Sequence, residues 1–150
     1  MSNDKTYGMK KKVYYHDTDS EGVVYYANYL KYFEEARTEQ LLSKGIDLRA
    51  LGKEGLVFAV TELDISYKRP AKYGDTLTVI SEIEKAKNAS IYYRHQIRIG
   101  EAILIESSAR LVCLRKDFKP TAIPRRILNL LTDEPVKYAE DGPDQGDHKI

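Results

Sequence analysis

The chain has 150 residues and a mass of 17.2 kDa, 42% hydrophobic and 31% charged. That is enough to withdraw roughly two-thirds of one domain's surface from water, and too little for two catalytic domains. Lysine and arginine number 24 against 23 acidic residues, so the net charge of +1 lacks the basic excess of a nucleic-acid binder, while the single cysteine, Cys113, excludes an internal disulfide and a cysteine-built zinc site. With no signal-peptide start and no apolar run near the ~20 residues of a membrane span, the expectation is a soluble cytoplasmic protein without stable membrane insertion.

Lys10 to Tyr15, rich in Val and Tyr, reads as a first strand, followed by a polar loop from His16 to Gly22. From Tyr25 to Lys44 the period changes. Tyr26, Leu30, Phe33, Arg37 and Leu41 fall near one face and Lys31, Glu34, Glu35 and Glu39 away from it, which predicts an amphipathic helix with Asn28 as N-cap and Gly45 as its stop. Asp47 to Leu51 adds a short helical turn. Phe58 and Val60 alternate in one phase and Leu63, Ile65 and Tyr67 in the other, so a bulge is expected near Thr61 or Glu62. Pro70 ends that strand and Tyr73-Gly74-Asp75 forms a turn.

Leu77, Val79 and Ile83 mark the next strand, and Lys87-Asn88-Ala89 a tight connection. Ile91, Tyr93, His95, Ile97 and Ile99 share one face. Gly100-Glu101 turns the chain into Ile103, Ile105, Ser107, Ala109, Leu111 and Cys113. Strands joined by turns this short must be antiparallel, because a parallel crossover needs about a dozen residues. Pro124 to Leu131 predicts a terminal helix. One domain over 1–131 is therefore expected, with a polar, disordered tail over 132–150 rich in Asp, Gly and Pro. A long helix with an antiparallel sheet is an α+β domain, in which the sheet covers the helix.

The loop His16-Asp17-Thr18-Asp19-Ser20-Glu21-Gly22 concentrates three carboxylates and an imidazole. A calcium loop is one reading, but its twelfth position, counted from Asp17, is Asn28 instead of glutamate, and a strand precedes it where a helix belongs. Turn-forming and helix-entry roles are a second. The third is a catalytic carboxylate beside a helix N-terminus, whose free N–H groups can hold an oxyanion.

The stretch from Val13 to Tyr29, with Thr18-Asp19, two residues, Gly22-Val23-Val24 and then Asn28-Tyr29, resembles the signature of the 4-hydroxybenzoyl-CoA thioesterase family, and within it the YbgC-type acyl-CoA thioesterases. Similarity continues through Tyr32 to Glu39, Tyr67-Lys68-Arg69-Pro70-Ala71, Arg110 to Cys113 and Thr121 to Pro124. The resemblance implies a hot-dog fold, a long helix wrapped by about five antiparallel strands, and homodimers or homotetramers with active sites at subunit interfaces. It implies hydrolysis of an acyl-CoA thioester, without metal or other cofactor. Carried over by position, Asp19 matches the catalytic aspartate, as nucleophile or general base. Tyr15 matches a tyrosine implicated in relatives. The main-chain N–H of Tyr26 falls at the oxyanion position, although Tyr26 itself stands where relatives usually carry histidine.

Tyr25, Asn28 and Lys87 complete the expected substrate-binding set, Lys87 and Arg94 being cations suited to anionic phosphates. Asp17 reads as a loop-structuring residue. His95 and Cys113 read as core side chains, and Glu34 and Glu35 as a solvated helix face. A non-catalytic binder of acyl-CoA or of acyl carrier protein on the same fold is the alternative, and Asp19 speaks against it.

Overall fold

The computed structural model describes residues 5–132. Five strands, β1 (Thr6–Lys12), β2 (Val57–Tyr67), β3 (Thr76–Lys87), β4 (Ser90–Ile99) and β5 (Ala102–Leu114), form one antiparallel sheet in the order β1-β3-β4-β5-β2. The helix α1 (Asn28–Ser43) packs against β1 and β3 and is followed by α2 (Leu48–Lys53), and α3 (Arg125–Thr132) closes the described chain. The sheet wraps α1, the arrangement expected of a hot-dog fold. The expected disordered tail from 133 onward lies outside the described residues.

Local chemistry accounts for the boundaries. Gly45 follows α1 at a φ of +87°, the left-handed conformation that glycine adopts without a Cβ penalty. Asp47 caps α2 by accepting from Arg49 N at 2.9 Å. The register of β2 on β5 shifts between Val60 and Glu62, where the change of phase predicted a bulge, and Thr61 Oγ1 donates to the Arg110 carbonyl.

Three expectations are corrected. The first strand lies earlier than Lys10–Tyr15, because Thr6–Lys12 pairs with Glu82–Thr76, whereas Tyr15 opens a 3-10 turn (Tyr15–Asp17). Asn28 is the first residue of α1 and does not cap it. Ala27 occupies the cap without a side-chain bond, and the Asn28 amide turns back to the preceding loop. The buried row of α1 is Tyr29, Phe33, Ala36 and Gln40, with Tyr32 and Leu41, while Tyr26 is 61% and Leu30 37% exposed. Gln40 hides this row from a count of apolar residues. It is tolerated in the core because Ser81 Oγ donates to its Oε1 at 2.7 Å and its Nε2 donates to the Lys5 carbonyl at 3.0 Å.

The core has two clusters, one around Tyr29, Phe33, Leu77 and Ile105, the other around Leu41, Ile83, Ile91 and Ile127. Strand β2 is an open edge with Val57, Val60, Leu63 and Tyr67 exposed along it. No helix among the described residues is long and apolar enough to cross a membrane.

Candidate active site

The loop between β1 and α1 is built by its own carboxylates. Asp17 is buried, and its Oδ2 accepts from Tyr14 N at 2.9 Å. Its carbonyl accepts twice, from Tyr25 N at 3.0 Å and from Asn28 Nδ2 at 2.9 Å. Asp19 is exposed, and its Oδ1 accepts from Glu21 N at 2.8 Å in an Asx turn. Gly22 then takes a φ of +84°, which a side chain would strain, and donates its N–H to the Asp19 carbonyl at 3.0 Å. One oxygen of each aspartate is thus engaged by the loop's own N–H groups, a use that accounts for both residues without calcium.

The loop is pinned to the turn after β2. Val24 N donates to the Ala71 carbonyl at 2.8 Å, Val23 bridges Lys72, and Ala71 N donates to the Tyr29 hydroxyl at 3.0 Å. This docking encloses an open groove of about 320 Å³ walled by Asp19, Tyr26, Tyr29, Tyr67, Lys68 and Arg69. Its floor is aromatic. Tyr67 lies edge-on to Tyr26 at 6.4 Å and tilted against Tyr29 at 5.9 Å. Burial raises the Tyr29 phenol above its usual range, so that group stays protonated. Tyr25 and Tyr26 have ring centroids 4.9 Å apart, and the neighbouring Tyr26 phenol pushes that of Tyr25 up.

At the entry to α1, Asn28 N donates to the Tyr25 carbonyl and Leu30 N to that of Ala27, while the Tyr26 N–H meets no acceptor among the described residues. Asp19 and Tyr26, whose main-chain N–H is unpartnered among the described residues, thus line one groove. An incoming carbonyl can be polarised by the donor while the carboxylate attacks it or takes a proton from water.

The structure therefore gathers Asp19, Tyr26, Tyr25 and Asn28. Tyr15 is not among the residues that wall the groove; it is 78% exposed, its ring edge-on to Tyr73 at 5.9 Å, and its carbonyl accepts from Thr18 Oγ1. Lys87 is not brought to this groove within one chain. Gly22 meets Tyr73 just before the Thr76 end of β3, and Lys87 lies at the opposite end, roughly 35 Å along an extended strand. Sequence reasoning assigned no role to Tyr67, Lys68 and Arg69. The stretch Tyr67 to Ala71 carried the resemblance, which was the available signal, but only tertiary docking makes it a wall.

His95 sits in the core as expected, stacked between Phe33 at 4.6 Å and Tyr93 at 5.6 Å. Arg37 Nη1 lies 3.4 Å from its Nε2, and burial, with Arg37 beside it, pushes its pKa down to about 3. Cys113 is buried and burial raises its thiol. Glu34 and Glu35 face solvent, Glu35 pairing with Lys11 at 3.3 Å.

A single antiparallel sheet wrapped about one long helix is the architecture of hot-dog thioesterases. The chain belongs to the thioesterase superfamily, whose family model matches residues 21–106. It is 35% identical over 119 residues to the acyl-CoA thioester hydrolase YbgC of Escherichia coli O6:H1 (strain CFT073), covering 78% of this chain and 89% of that protein. It is likewise 35% identical over 126 residues to the acyl-CoA thioesterase YbgC of Haemophilus influenzae, covering 83% and 93%. Among solved structures, a 1,4-dihydroxy-2-naphthoyl-CoA thioesterase from Synechocystis superposes with a TM-score of 0.79 at 26% identity, covering 86% of this chain and 97% of that one.

Proposed function

We propose that this protein hydrolyses an acyl-CoA thioester to the free acid and CoA. The observation that carries the reading is that Asp19 and Tyr26, whose N–H is unpartnered among the described residues, line one groove. Membership of the thioesterase superfamily, and the likeness to proteins named acyl-CoA thioester hydrolase, support it.

In this reading the thioester carbonyl points its oxygen at the Tyr26 N–H, with α1 behind it contributing the positive end of its dipole. Asp19 either draws a proton from water as the water adds to the carbonyl carbon, or adds directly and is freed by water in a second step. In the first route the C–S bond breaks as Asp19 passes the proton it drew from water to the CoA sulfur. In the second the sulfur leaves as thiolate when the mixed anhydride forms, and the water that cleaves the anhydride supplies the proton. Tyr25 and Tyr26 form the rim against which substrate rests, Tyr15 flanks it from outside the groove, and Asn28 holds the loop and helix entry in register. A thioester is already activated, so no cofactor is invoked.

The open β2 edge, with Val57, Val60, Leu63 and Tyr67 exposed, supports a homodimer formed by strand addition, with a homotetramer as a pair of such dimers. Lys87 can serve CoA phosphates only across such an interface. A single buried cysteine supports the reducing cytoplasm as the setting.

The test is a panel of CoA thioesters, aliphatic and aromatic, assayed for released thiol, with acyl carrier protein thioesters alongside. Turnover that disappears in Asp19→Asn supports the reading. Tight binding of acyl-CoA with no thiol release overturns it in favour of a binding protein.

A further inference from the structure

At the end of β2 remote from Asp19, the chain leaves β5 through a tight hairpin. Leu114 bridges Pro120, Arg115 N donates to the Lys119 carbonyl at 2.9 Å, and Phe118 N to that of Arg115 at 2.8 Å. Asp117 braces the tip from within. Its Oδ1 accepts from Lys119 N at 3.1 Å and its Oδ2 from Arg115 Nη2 at 3.1 Å. The result is Phe118 at a φ of +64°, 76% exposed. A bulky residue in the left-handed region is costly where glycine or asparagine is at ease, so presenting an aromatic ring here runs against the backbone's preference.

The charges around the ring are one-sided. The two nearby carboxylates are already engaged, Asp117 by Arg115 and Glu54 by Arg126 at 2.6 Å. Lys116, whose stem packs over Gly55, and Lys119 and Arg125 have no carboxylate partner among the described residues. Lys116 and Lys119, without carboxylate partners among the described residues, thus flank an exposed aromatic tip in the same five-residue hairpin.

We propose that the Arg115–Lys119 hairpin docks the protein reversibly on an anionic lipid surface, with Phe118 entering the headgroup layer and Lys116 and Lys119 meeting lipid phosphates. Aromatic rings favour that depth, and clustered basic side chains are drawn to anionic leaflets within a Debye length. A ring this exposed at a hairpin tip has no opposing wall to close on a small ligand, and a flat surface needs none. The proposal does not depend on the thioester chemistry.

The chain contains no tryptophan, so Phe118→Trp places a lone indole at the tip. Its emission should shift to the blue with phosphatidylglycerol vesicles, return on raising salt, and stay unchanged with phosphatidylcholine vesicles. Wild-type protein should float with the anionic vesicles, and the double change Lys116→Glu, Lys119→Glu should weaken this ~10-fold or more. No shift and no flotation, or an equal response to neutral vesicles, overturns the proposal. So does a saturable shift with adenosine 3′,5′-bisphosphate alone that vesicles do not compete away, which makes the hairpin a nucleotide site.

Discussion

Asn28 Nδ2 donates to the Asp17 carbonyl at 2.9 Å, a bond spanning eleven residues that fastens the first turn of α1 to the loop carrying Asp19. The same carbonyl accepts from Tyr25 N, so the helix entry and the loop share one oxygen as their fixed point. Positions of the carboxylate and of the Tyr26 N–H are therefore coupled. Asn28→Ala should cost about 1 kcal/mol of stability, the scale of one partly buried hydrogen bond, or ~2–4 °C in Tm. It should also lower kcat roughly 10-fold with little change in KM, because it loosens the reacting geometry more than the substrate contacts. Wild-type kcat at a reduced Tm would show that the bond serves the fold alone.

Asp19→Asn should leave the fold intact, since an amide oxygen can still accept from Glu21 N at the 2.8 Å now held by Oδ1. What is lost is the charge, so kcat should fall at least ~100-fold, the scale of a positioned base or nucleophile. Circular dichroism and thiol-release kinetics on the same sample decide the matter.

Asp17→Asn should do the reverse. Asp17 is buried, and its Oδ2 accepts from Tyr14 N while His16 Nδ1 lies 3.5 Å from its Oδ1. Replacing a buried charged acceptor by an amide should cost ~1–2 kcal/mol of stability, with kcat falling by less than in Asp19→Asn. Unchanged melting with collapsed turnover would exchange the roles of the two aspartates.

How much of this was legible in the sequence depended on which force set each element. The β3–β4–β5 meander could be read because period-two alternation, such as Ile91, Tyr93, His95 and Ile97, directly records which side faces the helix. The β2 bulge was legible for the same reason, as a change of phase. The start and face of α1 were not, because a hydrogen-bonded Gln40 interrupts the buried row and Tyr26 precedes the helix it was assigned to. β1 was misplaced because Gly8 and the lysines at 10–12 hide the alternation that its pairing with β3 imposes. At the site, the carboxylate-rich loop before the helix was legible in the residues themselves, and Asp19 was singled out within it by the resemblance. The wall of Tyr67, Lys68 and Arg69 does not, since it exists only because Val24 docks on Ala71 some forty-seven positions away.

Tyr26 separates a side-chain role from a main-chain one. Tyr26→Phe removes the hydroxyl beside Tyr25 but keeps the ring edge-on to Tyr67 and the free N–H. It should reduce kcat/KM by only about 1 kcal/mol, less than Asp19→Asn. Tyr26→Pro deletes the N–H and should lose far more, on the ~100-fold scale of an oxyanion donor. Parallel kinetics on both variants, each checked by circular dichroism, distinguish the two. Equal damage from Phe and from Asp19→Asn would give the hydroxyl a direct part in the chemistry.

His95 predicts an acid limb in stability. Burial, reinforced by Arg37, holds the ring's pKa down to about 3 in the fold, against about 6.5 for an unfolded histidine. Above pH ~6.5 the ring is neutral in both states and contributes no pH dependence. Below it, the unfolded chain takes up a proton that the folded chain refuses. Stability should therefore fall as pH drops from ~6.5 toward ~3, with a slope of up to about 1.4 kcal/mol per pH unit from this group. His95→Gln keeps an acceptor facing Arg37 and removes the titrating group. It should be less stable than the wild type at pH 7, where the stacking on Phe33 and Tyr93 is lost, yet flatter across the acid range. Urea unfolding midpoints at half-unit steps between pH 7 and pH 4.5 measure both effects. If the variant keeps the wild-type slope, the acid limb belongs to the carboxylates of the loop and not to His95.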